Sequence, residues 1–260
     1  MQTKHLTPIW VLTRFAERMA GLDRPSLDWL RMRKEVMLER LYPTIMESRN
    51  FLAGWLLSLA DDCPQGFVDE LAQSVHPVGK LVRQRGFEHS GLTFGRSLPS
   101  QSDFVSVRID SDDLVSDDFF ERVSSLPLEP GNLVSFPRGV IYESSTGRAA
   151  QSKVLSNTFG IFYGKRNIFD LGEHGTAHLR SDVHLLKIDT RDPMWMVICH
   201  GKNIANTFPP IYLPESQKKL QARFAPWLQA ARRPPFLGKV GAVVVYALSV
   251  LKRVLTRQIG

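Results

Sequence analysis

An acidic cluster, Arg108-Ile-Asp-Ser-Asp-Asp113, ends the apolar run Phe104-Val-Ser-Val107. In open α/β sheets ligands bind beyond the carboxyl ends of the strands, so a strand ending in carboxylates puts them where a substrate would lie. Asp110 and Asp112 are two apart and would share one face of a regular strand; a bend at the strand end lets both turn toward one cation. Hard divalent cations prefer oxygen ligands and keep water and phosphate oxygens in their shells. A carboxylate cluster of Asp110, Asp112 and Asp113 holding Mn²⁺ or Mg²⁺ against a diphosphate would answer the charge of a departing phosphate group.

Other uses of the same residues differ in spacing. An EF-hand loop needs an oxygen ligand at 114 and glycine at 115, where Leu114 and Val115 stand. A phosphatase with Asp110 as nucleophile shares the Asp-x-Asp strand end. It also needs a later lysine and acidic pair, and the acidic pair is not evident here. A solvated acidic turn leading into a helix at Asp117 is the purely structural alternative.

Around this cluster the chain alternates strand and helix patterns. Residues 9–13 read as a strand, and Ser26 can cap a helix running to Tyr42, with Pro43 limiting it. Residues 55–62 read as a buried strand ending in Asp61-Asp62, followed by a helix over 65–75. A short strand over 78–83, a loop over 84–102, the strand over 104–113 and a helix after Asp117 complete the first half. Residues 132–143 read as a hairpin or bent strand with Pro-Arg-Gly as its turn. Strands alternating with helices predict a parallel α/β sheet flanked by helices, with a less regular second half.

Bulk properties narrow the class. The chain has 260 residues, 43% hydrophobic and 23% charged, which suits a packed globular protein. Cys63 and Cys199 stand apart with no metal-binding spacing, so a reducing cytoplasm is the expected setting. No run approaches the ~20 apolar residues of a spanning helix. The net charge of +7 is local. Residues 215–260 hold nine Lys/Arg and one acidic residue, net +8, leaving the rest at −1. A nucleic-acid-binding domain would carry its charge on a core face, so nucleic acid is not an expected partner. A basic tail over 211–260, with the apolar run 240–251 between Lys239 and Lys252, suits peripheral contact with an anionic membrane at its inner face, or a core helix with basic ends.

Several short motifs occur in order. They are Val11-Leu-Thr-Arg-Phe15, Trp29-Leu-x-x-Arg33, Tyr42-Pro-Thr44, Trp55-Leu-Leu57, Asp61, the Pro64 segment, Arg108-x-Asp-x-Asp-Asp113 and Trp195-x-x-x-x-His200-Gly-x-Asn203-x-x-Asn206. Over residues 9–207 the chain resembles a bacterial family of rhamnosyltransferases. It departs from that pattern at Ala16, at Ser48-Arg49 and at Leu114-Val115. The resemblance implies a GT-A-like Rossmann-type mixed sheet over 1–210. Its nucleotide-binding half would cover about 1–125 and its acceptor half about 126–210. It also implies a metal-assisted glycosyltransferase that moves a sugar, rhamnose being one candidate, from a nucleotide-sugar donor to a glycan or glycolipid acceptor. Carried over by position, Thr13, Arg14, Asp61, Arg108 and Asp110 would contact the donor, and a later histidine would complete the metal shell. His178 and His184 are the first choices for that ligand, with His200 able to reach the same site instead. An inverting transfer also wants a carboxylate base; Glu143, ending an expected strand, is chosen ahead of Glu173 and Asp189. The rival readings are a non-catalytic interaction protein on a degenerate transferase fold and the aspartate-nucleophile phosphatase.

Overall fold

The structure, a computed structural model, describes residues 7–18, 25–153, 159–172, 180–200, 209 and 213–224. Four parallel strands form its first half: β1 (Ile9–Ala16), β2 (Leu52–Ala60), β3 (Gly79–Gln84) and β4 (Phe104–Arg108). In sheet order they stand as β4-β1-β2-β3. Beyond β4 the sheet becomes mixed. The strand β6 (Asn132–Ser135) and the strand β9 (Ile161–Gly164) are antiparallel to each other, β9 is antiparallel to β4, and β10 (His184–Lys187) closes the edge parallel to β6. This is the expected α/β architecture, a mixed sheet flanked by helices.

The sequence explains why this sheet is covered on both faces. Along a strand successive side chains point to opposite sides. Val11, Trp55, Leu57 and Val107 thus pack with Leu30, Met37, Leu41 and Ile45 of α1 (Leu27–Glu47) and with Phe67, Leu71 and Val75 of α2 (Gln65–Val75). Leu12, Leu56, Phe104 and Phe162 pack on the other side with Phe94 of α3 (Ser90–Gly95) and Phe169 of the 3-10 turn Ile168–Leu171. Ser26 caps α1 as expected, its Oγ accepting from the Trp29 amide at 3.2 Å. The helix continues through Pro43 to Glu47, because fully buried Ile45 lies beyond the proline on the same stripe as Leu41.

A second sheet, in the order β5-β11-β7-β8, is built from β5 (Leu114–Val115), β11 (Trp195–Cys199), β7 (Arg138–Glu143) and β8 (Arg148–Lys153). Leu220 and Phe224 of α5 (Gln217–Phe224) pack on Val140, Tyr142, Met196 and Ile198 of this sheet. A seven-residue helix, α4 (Phe119–Ser125), follows β5.

Three sequence expectations need correction. The segment 84–102 is not all loop; it contains α3. Residues 132–143 form no hairpin, since β6 and β7 belong to different sheets. Pro137 lies between them, and without an N–H it cannot continue a ladder. The actual hairpin is β7–β8, closed by Gly147 at φ +70°. The strand expected over 104–113 stops at Arg108, and the acidic residues form a turn in which the Asp113 amide donates to the Asp110 carbonyl at 3.1 Å.

That turn is the junction of the two sheets: β4 ends one residue before Ile109, and β5 begins at Leu114. The apolar run 240–251 lies outside the described residues. Among those described, no helix is long and apolar enough to cross a membrane.

The second sheet depends on a close approach at Gly139, which pairs in register with Trp195; a Cβ there would lie 2.0 Å from the indole. Gly139→Ala is expected to destabilise the protein by about 1–3 kcal/mol in urea unfolding, the usual range for an overpacked site. A change below about 0.5 kcal/mol would mean that the indole moves aside freely.

Candidate anion site at the sheet junction

The junction turn is nearly dry. Ser111 and Asp113 are fully buried and Asp112 is 5% exposed. Three carboxylates in such a turn need compensation, because an isolated buried charge costs several kcal/mol. They are compensated on two sides.

On the α1 side, Arg33 meets Asp112 with a two-pronged fork, Nη1 donating to Oδ2 at 3.2 Å and Nη2 to Oδ1 at 3.1 Å. The His200 ring, at the end of β11, brings its Nε2 to 3.1 Å from the same Oδ2. Burial alone would push the Asp112 carboxyl up, but His200 and Arg33 outweigh it and hold the group below its ordinary value. Asp113 is treated differently. Its Oδ1 accepts from the Ile198 amide at 3.1 Å, and its Oδ2 has no hydrogen-bond partner. Burial, and then repulsion by Asp112 and Asp110, pushes this carboxyl well above the ordinary range. Buried Arg40 lies within electrostatic reach of both Asp112 and Asp113; burial lowers its pKa and these carboxylates oppose that.

On the opposite face, Arg108 turns back onto Asp110. Its Nε and Nη2 donate to Oδ1 at 3.2 and 3.1 Å, and Nη2 also to Oδ2 at 3.1 Å. Arg108 pairs in register with Leu12 on β1, so Arg14, two residues on, leaves the sheet on the same face. Both guanidiniums lie over one ring. Arg108 is 5.2 Å and Arg14 5.6 Å from the centroid of Phe169, which itself stacks on Phe94 at 5.2 Å. Burial lowers the Arg108 pKa; Asp110 opposes that, and the like charge of Arg14 adds to it. Half-buried Arg14 makes no hydrogen bond or ion pair among the described residues, and its Nε is buried without a partner. A guanidinium with unused donors beside a second guanidinium, at the carboxyl edge of a parallel sheet, has the chemistry to receive an anion.

The other expected site residues are placed as follows. Thr13 is fully buried, and its Oγ1 accepts from Trp55 Nε1 at 2.9 Å, which makes it part of the core. Asp61 stands exposed after β2, its Oδ2 accepting from the Gly86 amide at 3.1 Å, while Asp62 is taken by Arg18. His184 opens the edge strand β10, three strand spacings or about 14 Å from β4. The structure therefore does not bring it to the acidic turn; His200 is the histidine that arrives there. His178, His174, Glu173, Asn203 and Asn206 lie outside the described residues. Glu143 is engaged by Thr146 and by Arg148, whose Nε and Nη2 approach at 2.8 and 2.6 Å. Burial would raise its carboxyl, but those bonds hold it below the ordinary value, a poor setting for a general base. Asp189 is paired with Arg138 on the surface.

Sequence reasoning gave no role to Arg33, Arg40 or Phe169. A signal existed for the two arginines. They recur with Leu30, Met37 and Leu41 on the stripe of α1 that faces the core, where a charge must have a partner. Glu17 was also missed; its two oxygens accept from the hydroxyls of buried Ser58 and Ser90, each at 2.5 Å.

Among the described residues the donor set is not arranged for the divalent cation expected from the sequence. Among the described residues no three His, Cys, Asp or Glu side chains are arranged to hold an ion. Both oxygens of Asp110 are engaged by Arg108 and both oxygens of Asp112 by Arg33, while Asp113 is sealed from solvent. Asp112 and His200 form the nearest carboxylate–imidazole pair, and a cation between them would meet the Arg33 fork.

No family model matches the chain, and no curated protein matches it. Among solved structures it is similar to the 4-diphosphocytidyl-2C-methyl-D-erythritol synthase from Anaerococcus prevotii. That likeness has 9% sequence identity and a TM-score of 0.38, covering 70% of this chain and 87% of the other.

Removing the Arg33 fork leaves a buried carboxylate with one partner fewer. Arg33→Ala is expected to lower the unfolding free energy by roughly 3–5 kcal/mol, the cost of breaking one side of a buried ion pair. Urea denaturation reads this directly, and a loss under about 1 kcal/mol would show that Asp112 is neutralised by other groups.

Proposed function

We propose that the protein transfers a sugar from a nucleoside-diphosphate sugar to a glycan or glycolipid acceptor, with the donor diphosphate lying against Arg14 and Arg108. The observation that carries this reading is Arg14, a guanidinium without a carboxylate partner among the described residues, beside Arg108 at the carboxyl edge of β1 and β4. The ordered motifs that resemble bacterial rhamnosyltransferases support it, and the first four strands would then be the donor half of a GT-A-like fold. Rhamnose is one candidate sugar.

In such a transfer the bond between the anomeric carbon and the phosphate oxygen breaks, and the acceptor oxygen takes its place on that carbon. The acceptor hydroxyl releases its proton to water, and the departing diphosphate gains one negative charge. Groups already aimed at that charge lower the barrier, since they need no reorganisation as it develops. Arg14 would do this by donating to the phosphate oxygens, the charge of Arg108 beside it would add to the field, and Phe169 would hold both in place. Asp110 would keep Arg108 oriented through its paired bonds. The phosphatase reading is not favoured, because an Asp110 whose two oxygens accept from Arg108 is a weakened nucleophile.

Thermal-shift screening of UDP-, GDP- and dTDP-sugars against the wild type and Arg14→Gln tests the reading. A ligand at about 100 times its Kd adds about 2.7 kcal/mol, which for a chain of this size is a rise of roughly 5–10 °C. One nucleotide class is expected to give such a rise in the wild type and most of it is expected to vanish in Arg14→Gln. No shift with any donor would favour the non-catalytic interaction protein.

A further inference from the structure

The arginines at the sheet junction do more than replace one ligand of an expected metal shell. Around the turn stand three carboxylates, Asp110, Asp112 and Asp113, and four guanidiniums, Arg14, Arg33, Arg40 and Arg108. Arg33 and Arg108 are consumed in closing forks onto Asp112 and Asp110. Asp113 is fully buried, with its one bonded oxygen on the Ile198 amide. What remains unengaged at the carboxyl edge of β1, among the described residues, is half-buried Arg14, with buried Arg108 beside it over the same Phe169 ring and part-exposed Asp110 held by Arg108. A site arranged for a divalent ion has the opposite character, with carboxylate oxygens turned to the ligand and their negative charge left for the ion to cancel.

We propose that this protein neutralises the donor diphosphate with its own guanidiniums, Arg14 foremost, so that donor binding needs no divalent cation. The inference rests on the transferase reading and deepens it by naming what stands against the diphosphate. Guanidinium is well suited to a diphosphate, because its planar fork matches two phosphate oxygens and its charge persists at every working pH. Stacking on Phe169, itself backed by Phe94, fixes both arginines before the ligand arrives. The charge that the departing diphosphate gains is then met by groups already in place, without an ion that must bind first.

Isothermal titration of the full chain with UDP, GDP and dTDP, first in EDTA and then in Mn²⁺, decides it. At least one nucleotide is expected to bind in EDTA, with a Kd that Mn²⁺ changes by less than about threefold. Arg14→Gln is expected to weaken that binding at least about tenfold in both buffers, and Arg14→Lys to restore part of it, in line with the loss of a fork and the return of a point charge. Because Arg14 has no side-chain hydrogen bond to lose among the described residues and its charge repels Arg108, neither variant should melt below the wild type in the absence of nucleotide, which separates lost binding from lost folding. Electron paramagnetic resonance of added Mn²⁺ should show the free-ion spectrum with the protein alone. Tenfold or tighter binding in Mn²⁺, or a protein-bound Mn²⁺ signal that Asp112→Asn removes, would overturn the inference and leave the transferase reading standing. No binding of any of the three nucleotides in either buffer would remove the donor reading and this inference together.

Discussion

The interaction on which the rest depends is the fork of Arg33 on Asp112. It reaches from the buried stripe of α1 to the turn where the first sheet hands the chain to the second. Were Asp112 not neutralised there, the turn could not be dry, and β5 could not follow it at once into the second sheet. The same turn is tied to β11 by the Ile198 amide on Asp113 and by His200 on Asp112. One helix, one strand of each sheet and the end of β11 are therefore fixed by the compensation of two adjacent carboxylates. Their cost in isolation would be several kcal/mol each, which is why the arginine lies on a helix face otherwise given to Leu30, Met37 and Leu41.

This arrangement divides labour between the faces of the first sheet. On the α1 face the charges close on one another and hold the architecture. On the face of α3 and the 3-10 turn, Arg108 is spent on Asp110 and Arg14 is left over. Side-chain alternation alone brings these two arginines together, since β1 and β4 are parallel neighbours in the register Leu12 to Arg108. The ring of Phe169 then holds two like charges side by side, a costly arrangement in a protein with nothing to bind. The unspent charge is thus the feature that links the packing to the proposed chemistry.

Much of the first half is legible in the sequence because its signals are local. The apolar runs around Val11, Leu56 and Val107 read as strands, Ser26 reads as a cap, and the two apolar stripes read as helices; all of these appear in the structure. What escaped depends on partners distant along the chain. Whether His184 or His200 reaches the acidic turn is decided by sheet order. β10 goes to the far edge, whereas β11 runs antiparallel to β5 and so carries its end back toward Asp112. The residues 132–143 look like a hairpin because a turn sequence lies between two apolar stretches, yet β6 and β7 pair with strands of different sheets. The acidic motif looks like an open metal site for a similar reason: Asp-x-Asp-Asp shows the carboxylates, but Arg33 lies 79 residues away and its fork is invisible until the fold closes.

The guanidinium site is tested by a crystal structure of the protein soaked with the nucleoside-diphosphate sugar that shifts its melting most. The diphosphate is expected at the carboxyl edge of β1 and β4, with phosphate oxygens within hydrogen-bond distance, about 2.7–3.2 Å, of the Arg14 guanidinium. A diphosphate seated elsewhere, or one held through a metal ion on Asp112 with Arg33 displaced, would contradict the guanidinium site.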